Sequence, residues 1–425
     1  MEAKFGDYVE VHFVKEIYEG VLLDSPESGI VLLKLDNGYN IGFKKKEISE
    51  IKVVKKKESV KEEKIDLKTD SKKPNIAMVI TGGTIASKYD SKTGGVSWLT
   101  NPNELFKFYP EIFEVCNVVV VDVPFMKGSE DMDYLDWKNV GRSVERFLND
   151  KNVSGVIVTQ GTDSLHYASS ALSFFLGKLN KPVVLTYSQR SIDRASSDAD
   201  LNLKCAALMA ISNVAEVMTV GHATTNDDFC YAIRGTKVRK LHASRRDAFK
   251  PVNDLPLAKI NSKGIEIINS NYNVRDDKKK VKSDLNFCDK VALLKFYPGQ
   301  NPEILDFYFE KGYKGIVIEM LGLGQVATSD SRNSWITKLK EVQNKGMIIC
   351  AAAQTVYGRL NPLVYSTGRE LEKTGIIYLE DMLSETAWIK LSWVLGHVDW
   401  AKDKEIVKEK MLTNFFGELN KNLRE

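Results

Sequence analysis

The chain of 425 residues lacks several features that mark particular protein classes. Its five cysteines are an odd number, and no two stand at the spacing of a metal-ligand pair. No apolar run reaches membrane-spanning length, and the first residues lack the apolar centre of a signal peptide. These absences predict reduced thiols, no metal site and a cytoplasmic location.

Charge excess and nucleotide motifs are also absent. The 60 lysines and arginines nearly balance 57 aspartates and glutamates, so the net charge of +3 does not by itself indicate nucleic-acid binding. No G-x-x-x-x-G-K-[ST] loop is present, so the chain shows no nucleotide site. His222 suggests a Ser–His–Asp triad, but no G-x-S-x-G turn accompanies it, and a polar core or loop histidine is the better interpretation. We therefore expect no cofactor in this chain.

The first part of the chain has the pattern of a separate β domain. Residues 1–52 contain short runs with alternating apolar positions, broken by turns, which predict the hairpins of a small all-β barrel domain. Residues 53–74 are rich in lysine and glutamate and poor in large apolar residues, as in a solvated linker.

The remainder alternates between strand-like and helical segments, which predicts an α/β fold with parallel sheets. We expect a larger α/β domain at 75–265, a polar connector at 266–289 and a smaller α/β domain at 290–400. Residues 401–425 have apolar positions at the spacing of an amphipathic C-terminal helix.

Two threonine-bearing segments carry the chemistry. TGGTIAS at 81–87 follows the apolar run 76–80, and TQGTDSLHYAS at 159–169 follows the run 155–158. Ligands in open α/β sheets bind at the carboxyl ends of the strands, where such loops lie. Glycines let the backbone approach a ligand closely, and a helix opening after each loop would supply N–H donors to an anion. Thr84 alone reads equally well as a helix cap, but a second such loop makes a nucleophile the better interpretation.

These residues resemble the asparaginase–glutaminase family, whose members use a threonine nucleophile. The family's first signature is similar to TGGTIA at 81–86, its G-T-D triplet to 161–163, and its basic segment before AFK to 238–250. The resemblance covers roughly 75–400 and implies an asparaginase-like two-domain body with parallel sheets. A small β domain before such a body resembles one component of the archaeal amidotransferases that convert misacylated glutamyl-tRNA(Gln) to glutaminyl-tRNA(Gln).

The resemblance implies the site roles. Thr84 would be the nucleophile that forms an acyl-enzyme, and Thr162 would activate or position the attacking group. Asp163 would bind the substrate's α-ammonium and orient Lys240, and Ser129 would help to hold its α-carboxylate. Without the resemblance, the better interpretation of Lys240 is one of several solvated basic residues. Ser129 could then equally well be a helix N-cap.

One departure concerns the family's lid tyrosine. Val96 stands near its expected place and Tyr89 comes earlier, so either Tyr89 takes the place of the lid tyrosine or the lid is incomplete. An incomplete lid would imply dependence on a partner. The resemblance then implies a glutaminase component that supplies ammonia to a partner subunit, with ATP and Mg used by that partner. Glutamyl-tRNA(Gln) would be bound mainly by the partner, and the asparaginase-like body would self-associate through 322–330. The alternatives are a stand-alone L-asparaginase and a non-catalytic tRNA- or partner-binding scaffold.

Overall fold

A computed structural model of the chain describes residues 3–23, 25, 29–36, 40–56, 69–89, 95–99, 103–194 and 196–422. Its first part is one antiparallel five-stranded sheet with the order β4-β3-β2-β1-β5. The strands are β1 (Tyr8–His12), β2 (Ile17–Leu23), β3 (Ile30–Lys34), β4 (Asn40–Lys44) and β5 (Glu50–Lys55). Alternation in β1 buries Val9 and Val11 against Leu33. The last strand continues past the expected domain end at 52, and residues 57–68 of the expected linker lie outside the described part.

The large domain is built on an eight-stranded sheet with the order β17-β16-β13-β12-β11-β10-β6-β9. Two small hairpins, β7–β8 and β14–β15, stand beside it. The strands are β6 (Asn75–Ile80), β7 (Ser87–Tyr89), β8 (Val96–Trp98), β9 (Asn117–Asp122), β10 (Val156–Thr159), β11 (Val183–Thr186), β12 (Val217–His222), β13 (Cys230–Arg234), β14 (Val238–Lys240), β15 (Phe249–Pro251), β16 (Ala258–Asn261) and β17 (Gly264–Ile267).

Strand direction divides this sheet into two parts. The strands β9, β6, β10, β11 and β12 run parallel, as the alternation of strand-like and helical segments predicts. The remaining three, β13, β16 and β17, pair antiparallel, which the sequence pattern did not indicate. The connection 223–229 between β12 and β13 holds no helix, and a parallel crossover needs a longer one.

Helices cover both faces of the parallel part. They are α1 (Asn103–Phe108), α2 (Ile112–Val115), α3 (Tyr134–Leu148), α4 (Leu165–Leu176) and α5 (Ala199–Ala210). Asp133 starts α3 with a capping box, because its side chain accepts from the N–H of Asp136 while that of Asp136 accepts from the N–H of Asp133. One core packs α3 and α4 against the sheet, and a second packs α2 and α5 against its other face.

The small domain is a four-stranded parallel sheet with the order β18-β19-β20-β21. Its strands are β18 (Val291–Lys295), β19 (Gly315–Met320), β20 (Ile348–Ala353) and β21 (Ile377–Tyr378), and its helices are α6 (Ile304–Glu310), α7 (Ile336–Asn344), α8 (Ser366–Glu372) and α9 (Ser384–Gly396). Helix α9 packs on α4 of the large domain, where the hydroxyls of Ser170 and Thr386 are 2.9 Å apart. One continuous apolar core therefore joins the two domains.

The expected single helix over 401–425 is wrong. Two short helices, α10 (Val398–Ala401) and α11 (Lys404–Leu412), are followed by irregular backbone to residue 422. Gly417 adopts φ +76°, and Glu418 turns inward to an ion pair of 2.7 Å with Lys390, in which neither side chain is exposed. A buried carboxylate needs a positively charged partner, and the non-helical backbone of the tail brings Glu418 to Lys390. Across the described ranges, every helix is too short or too polar to cross a lipid bilayer.

Candidate active site

The two threonine-bearing loops leave neighbouring parallel strands at the same edge of the large sheet. Ile80 of β6 is aligned with Thr159 of β10. Thr81 continues the pairing, because its N–H and its hydroxyl both donate to the Thr159 carbonyl, at 3.1 and 2.9 Å. The carboxyl ends of parallel strands are where α/β folds form ligand crevices, and both predicted loops begin there.

Glycine lets the two loops touch. Gly82 and Gly83 have φ of +111° and +81°, in the left-handed region that side chains disfavour. A Cβ on Gly83 would stand 2.2 Å from the backbone nitrogen of Gly161, and one on Gly82 would stand 2.5 Å from the Lys127 carbonyl oxygen. The loop of Thr84 therefore lies directly against the loop of Thr162.

The two loops continue differently. The Thr162 loop opens the predicted helix, α4, at Leu165. The Thr84 loop instead opens a 3₁₀ turn, Thr84–Ala86, which leads into the strand β7, so the α-helix expected there is wrong. The hydroxyl of Ser87 donates to the carbonyl of Thr84 at 2.9 Å and holds the turn, with Thr84 half-buried.

Lys240 reaches the second loop from the end of strand β14. Its Nζ donates to the Thr162 hydroxyl at 2.7 Å and to Asp163 Oδ1 at 2.6 Å. The Lys240 side chain is 9% exposed, whereas that of Asp163 is 65% exposed. The site thus has a buried basic side and an open acidic side. Thr162, Lys240 and Asp163 form one hydrogen-bonded unit beside the loop of Thr84.

Ser129 belongs to the same site, by a contact that the sequence did not suggest. It is buried in a 3₁₀ turn, Ser129–Asp131, and does not cap α3, whose N-cap is Asp133. Its Oγ accepts from the backbone N–H of Asp163 at 3.1 Å and of Ser164 at 3.4 Å. The Ser164 hydroxyl returns a bond of 2.5 Å to the Ser129 carbonyl. Ser129 therefore fixes the loop that carries Asp163.

His166 is a neighbour that sequence reasoning missed. It is buried in the first turn of α4, and Nδ1 has no hydrogen-bond partner among the described residues. Burial, with the positive charges of Arg239 and Lys240, lowers the pKa of His166 to about 3. The imidazole is neutral at physiological pH. Its place in the first turn of the helix that follows Asp163 was the only available signal.

Tyr89, the alternative candidate for the lid tyrosine, is itself described. Residues 90–94 lie outside the described part, and Tyr89 ends β7. The backbone N–H of Tyr89 donates to Asp193 at 2.9 Å, and the Lys34 ammonium lies 4.3 Å from the centre of the Tyr89 ring. The first domain therefore contacts the segment that begins at Thr84.

The remaining candidate groups are structural. His222 is buried between Asn202 at 2.6 Å and Asp227 at 2.9 Å, which confirms a polar core histidine. Among the side chains that the structure describes, no three histidine, cysteine, aspartate or glutamate groups are placed to share a metal ion.

The fold and the site define the class of protein. Residues 75–273 match the family model "Asparaginase, N-terminal", and residues 290–411 match "Glutaminase/Asparaginase C-terminal domain". The thermostable L-asparaginase from Thermococcus kodakarensis superimposes with a TM-score of 0.72 at 26% identity, covering 82% of this chain and 100% of that one. The chain thus has the asparaginase–glutaminase architecture.

The first domain shows which family with the asparaginase–glutaminase architecture the chain belongs to. Residues 3–54 match the family model "GatD N-terminal domain". The chain is 45% identical to GatD of the glutamyl-tRNA(Gln) amidotransferase from Pyrococcus furiosus, over 97% of this chain and 94% of that protein. It is also 45% identical to GatD of Thermococcus kodakarensis, over 95% of this chain and 90% of that protein. The chain belongs to the GatD family of glutamyl-tRNA(Gln) amidotransferase subunits.

The contact between the loops predicts that Gly83→Ala is strongly destabilising. The added Cβ would overlap Gly161 and would also hold φ +81° with a side chain. The matched control is Gly177→Ala, where φ is +64° but no atom lies within 4 Å of the added Cβ. In denaturant unfolding, Gly83→Ala should lower the free energy of unfolding by about 2 kcal/mol or more beyond the decrease that Gly177→Ala causes. Equal decreases in the free energy of unfolding for the two variants would contradict a close contact between the loops.

Proposed function

We propose that this chain is the glutamine amidohydrolase component of a tRNA-dependent amidotransferase, which converts misacylated glutamyl-tRNA(Gln) to glutaminyl-tRNA(Gln). The observation that carries the proposal is the Lys240 ammonium, 2.7 Å from the Thr162 hydroxyl and 2.6 Å from Asp163, beside the loop of Thr84. This arrangement suits amide hydrolysis, which needs a nucleophile and a route for its proton.

The chemistry follows from these groups. The Thr84 oxygen attacks the side-chain carboxamide carbon of glutamine, and its proton passes into the Thr162–Lys240–Asp163 unit. Lys240 accepts this proton through the lone pair of its neutral amine, whose two N–H groups can still donate to Thr162 and Asp163. Collapse of the tetrahedral intermediate breaks the C–N bond while the unit returns that proton to the leaving nitrogen, so ammonia departs and a glutamyl ester remains on Thr84. Water then hydrolyses the ester to glutamate.

Substrate binding uses the open side of the site. Asp163 is 65% exposed and can meet the α-ammonium of glutamine while it also accepts from Lys240. Ser129 accepts two backbone N–H groups, which leaves its own O–H proton to donate to the α-carboxylate. Both roles follow from the family resemblance and agree with these contacts.

Activation of glutamate lies with a partner. The sequence contains no phosphate-binding loop, and the net charge of +3 gives little attraction for tRNA. The proposed complex therefore has a partner subunit that uses ATP and Mg, binds glutamyl-tRNA(Gln) and accepts the ammonia. We place this complex in the cytoplasm.

The nucleophile and its proton route can be tested by substitution. Thr84→Val, Thr162→Val, Asp163→Asn and Lys240→Met should each lower ammonia release from glutamine by on the order of 10³-fold or more, because such groups act as a unit. Lys340→Met is the control, since Lys340 is exposed on α7 of the small domain. Circular dichroism should remain unchanged. A Thr84→Val protein within a few-fold of the wild-type rate would refute the nucleophile.

Dependence on the partner separates this proposal from its alternatives. Ammonia release from glutamine should be slow for the chain alone and should rise when partner, ATP and glutamyl-tRNA(Gln) are added together. Release from asparagine should remain lower throughout. Full release from glutamine by the isolated chain, unchanged by the additions, would favour a stand-alone amidohydrolase, and faster release from asparagine would make it a stand-alone L-asparaginase. Activity in neither setting, with intact tRNA binding, would favour a scaffold.

Self-association is a further part of the proposal. The segment 322–330 follows β19, and Gln325 presents a buried Nε2 without a hydrogen-bond partner among the described residues. Leu363 and Val364 are 51% and 55% exposed and line a groove together with Leu323. A closed two-fold dimer would cover these apolar side chains.

Sedimentation velocity should therefore show a dimer. Val364→Glu should shift the chain towards monomer and reduce ammonia release, while the exposed but distant Val14→Glu should do neither. A fully active wild-type monomer would refute the dimer.

A further inference from the structure

The segment that ends in Lys240 contains three basic residues, and each is held by a different carboxylate. Lys240 binds Asp163 at 2.6 Å, as described above. Lys237, which directly precedes β14, binds Asp381 at 2.7 Å. Arg239, between them, binds Glu385 at 2.9 Å. The first partner belongs to the large domain and the other two to the small domain.

The Lys237–Asp381 pair lies in the interior. Both side chains have no exposed surface, and Lys237 also donates to the Asp381 carbonyl at 3.2 Å. Asp381 in turn accepts from the N–H of Asn420 in the tail, at 3.0 Å. A charge in such a place is tolerated only with its partner in place, so the position of Lys237 depends on the small domain.

The Arg239–Glu385 pair is supported from the small domain. Glu385 is 6% exposed, and Ser384 donates to it at 3.2 Å and to Glu319 of β19 at 2.7 Å. Burial raises the pKa of Glu385, against the opposing effect of Arg239. The charge of Arg239 favours the ionised form of this carboxylate, which lies near the like charge of Glu319.

The strand geometry relates these pairs to Lys240. Side chains two apart on a strand share a face, and the next one points to the opposite face. Lys237 and Arg239 accordingly reach the start of α9, while Lys240 points to the loop of Thr162. Asp381 and Glu385 are four residues apart, and they bind the segment on the face opposite to the one from which Lys240 extends.

We infer that Asp381 and Glu385 are positioning residues for Lys240: the small domain holds the segment 237–240 through two ion pairs and so sets the contact of Lys240 with Thr162 and Asp163. The inference rests on the proposed function. It assigns the small domain a part in the chemistry of the same site. Small errors in the placement of a reacting group cost rate, so the effect should fall on kcat.

The test uses the full chain with its partner subunit, ATP and glutamyl-tRNA(Gln), and measures ammonia release. Glu385→Gln and Arg239→Gln should each lower kcat about tenfold or more and change KM less than about threefold. The double variant should be no slower than either single variant, because the two groups act through one contact. Glu385→Asp should recover part of the rate. The control is Lys338→Gln, which removes a small-domain ion pair with Asp306 far from β14 and should leave kcat unchanged.

Thermal unfolding separates positioning from folding. Asp381→Asn is expected to lower both stability and kcat, and the more exposed Arg239–Glu385 pair provides variants that stay folded. Wild-type kcat in folded Glu385→Gln, with Lys240→Met inactive, would overturn this inference and leave the proposed function intact. Equal release by wild type and Lys240→Met would instead overturn the proposed function. Additive losses in the double variant would also contradict a shared contact.

Discussion

The site depends on a contact between two stretches of backbone. The strands β6 and β10 run parallel and in register, so Thr81 and Thr159 end side by side and their loops must pack on each other. Only a residue without a Cβ fits at Gly83, where the Gly161 nitrogen would lie 2.2 Å from an added carbon. The sequence thus places glycine where close approach is needed and threonine next to it, and Thr84 arrives beside the Thr162 loop as a consequence.

Buried charges then join the parts of the chain around that contact. Lys237 with Asp381 connects the two domains, and Lys390 with Glu418 fastens the tail to α9. Such pairs gain little stability over apolar packing, but the loss of one partner costs about 3–5 kcal/mol. They therefore act mainly as specific connections. Each is satisfied in one arrangement of strand, helix and tail, and Asn420 bonds to Asp381 in the same arrangement.

Local pattern was enough to predict the parts of the site that lie at strand ends. The threonine loops could be placed together because parallel strands carry their carboxyl ends to one edge. Lys240 could not be placed this way, since it reaches Thr162 from a hairpin 78 residues further along, and most lysines in a basic segment are solvated. Only the resemblance to a family selected it. Its role in catalysis, like those of Thr84 and Ser129, stays a prediction.

Two predictions of secondary structure were wrong because tertiary contacts override the local preference of the sequence. The segment after Gly83 looked like a helix start, yet Ser87 and the hairpin partner β8 hold it as a 3₁₀ turn and a strand. The tail had helical spacing, yet burial of Glu418 against Lys390 ended the helix at Leu412. In both cases tertiary contacts outweighed propensities of a few tenths of a kcal/mol per residue.

The charged residues of the Thr162–Lys240–Asp163 unit differ in their exposure to solvent. Asp163 is open to solvent, whereas Lys240 is almost enclosed and has the buried, neutral His166 among its neighbours. In the proposed reaction the amino-acid substrate would meet this carboxylate first, and Lys240 would transfer the proton on the buried side of the site, where hydrogen bonds are strongest. Asp381 and Glu385 of the small domain bind Lys237 and Arg239 on the other face of the same segment, and by our inference these contacts set the position of Lys240.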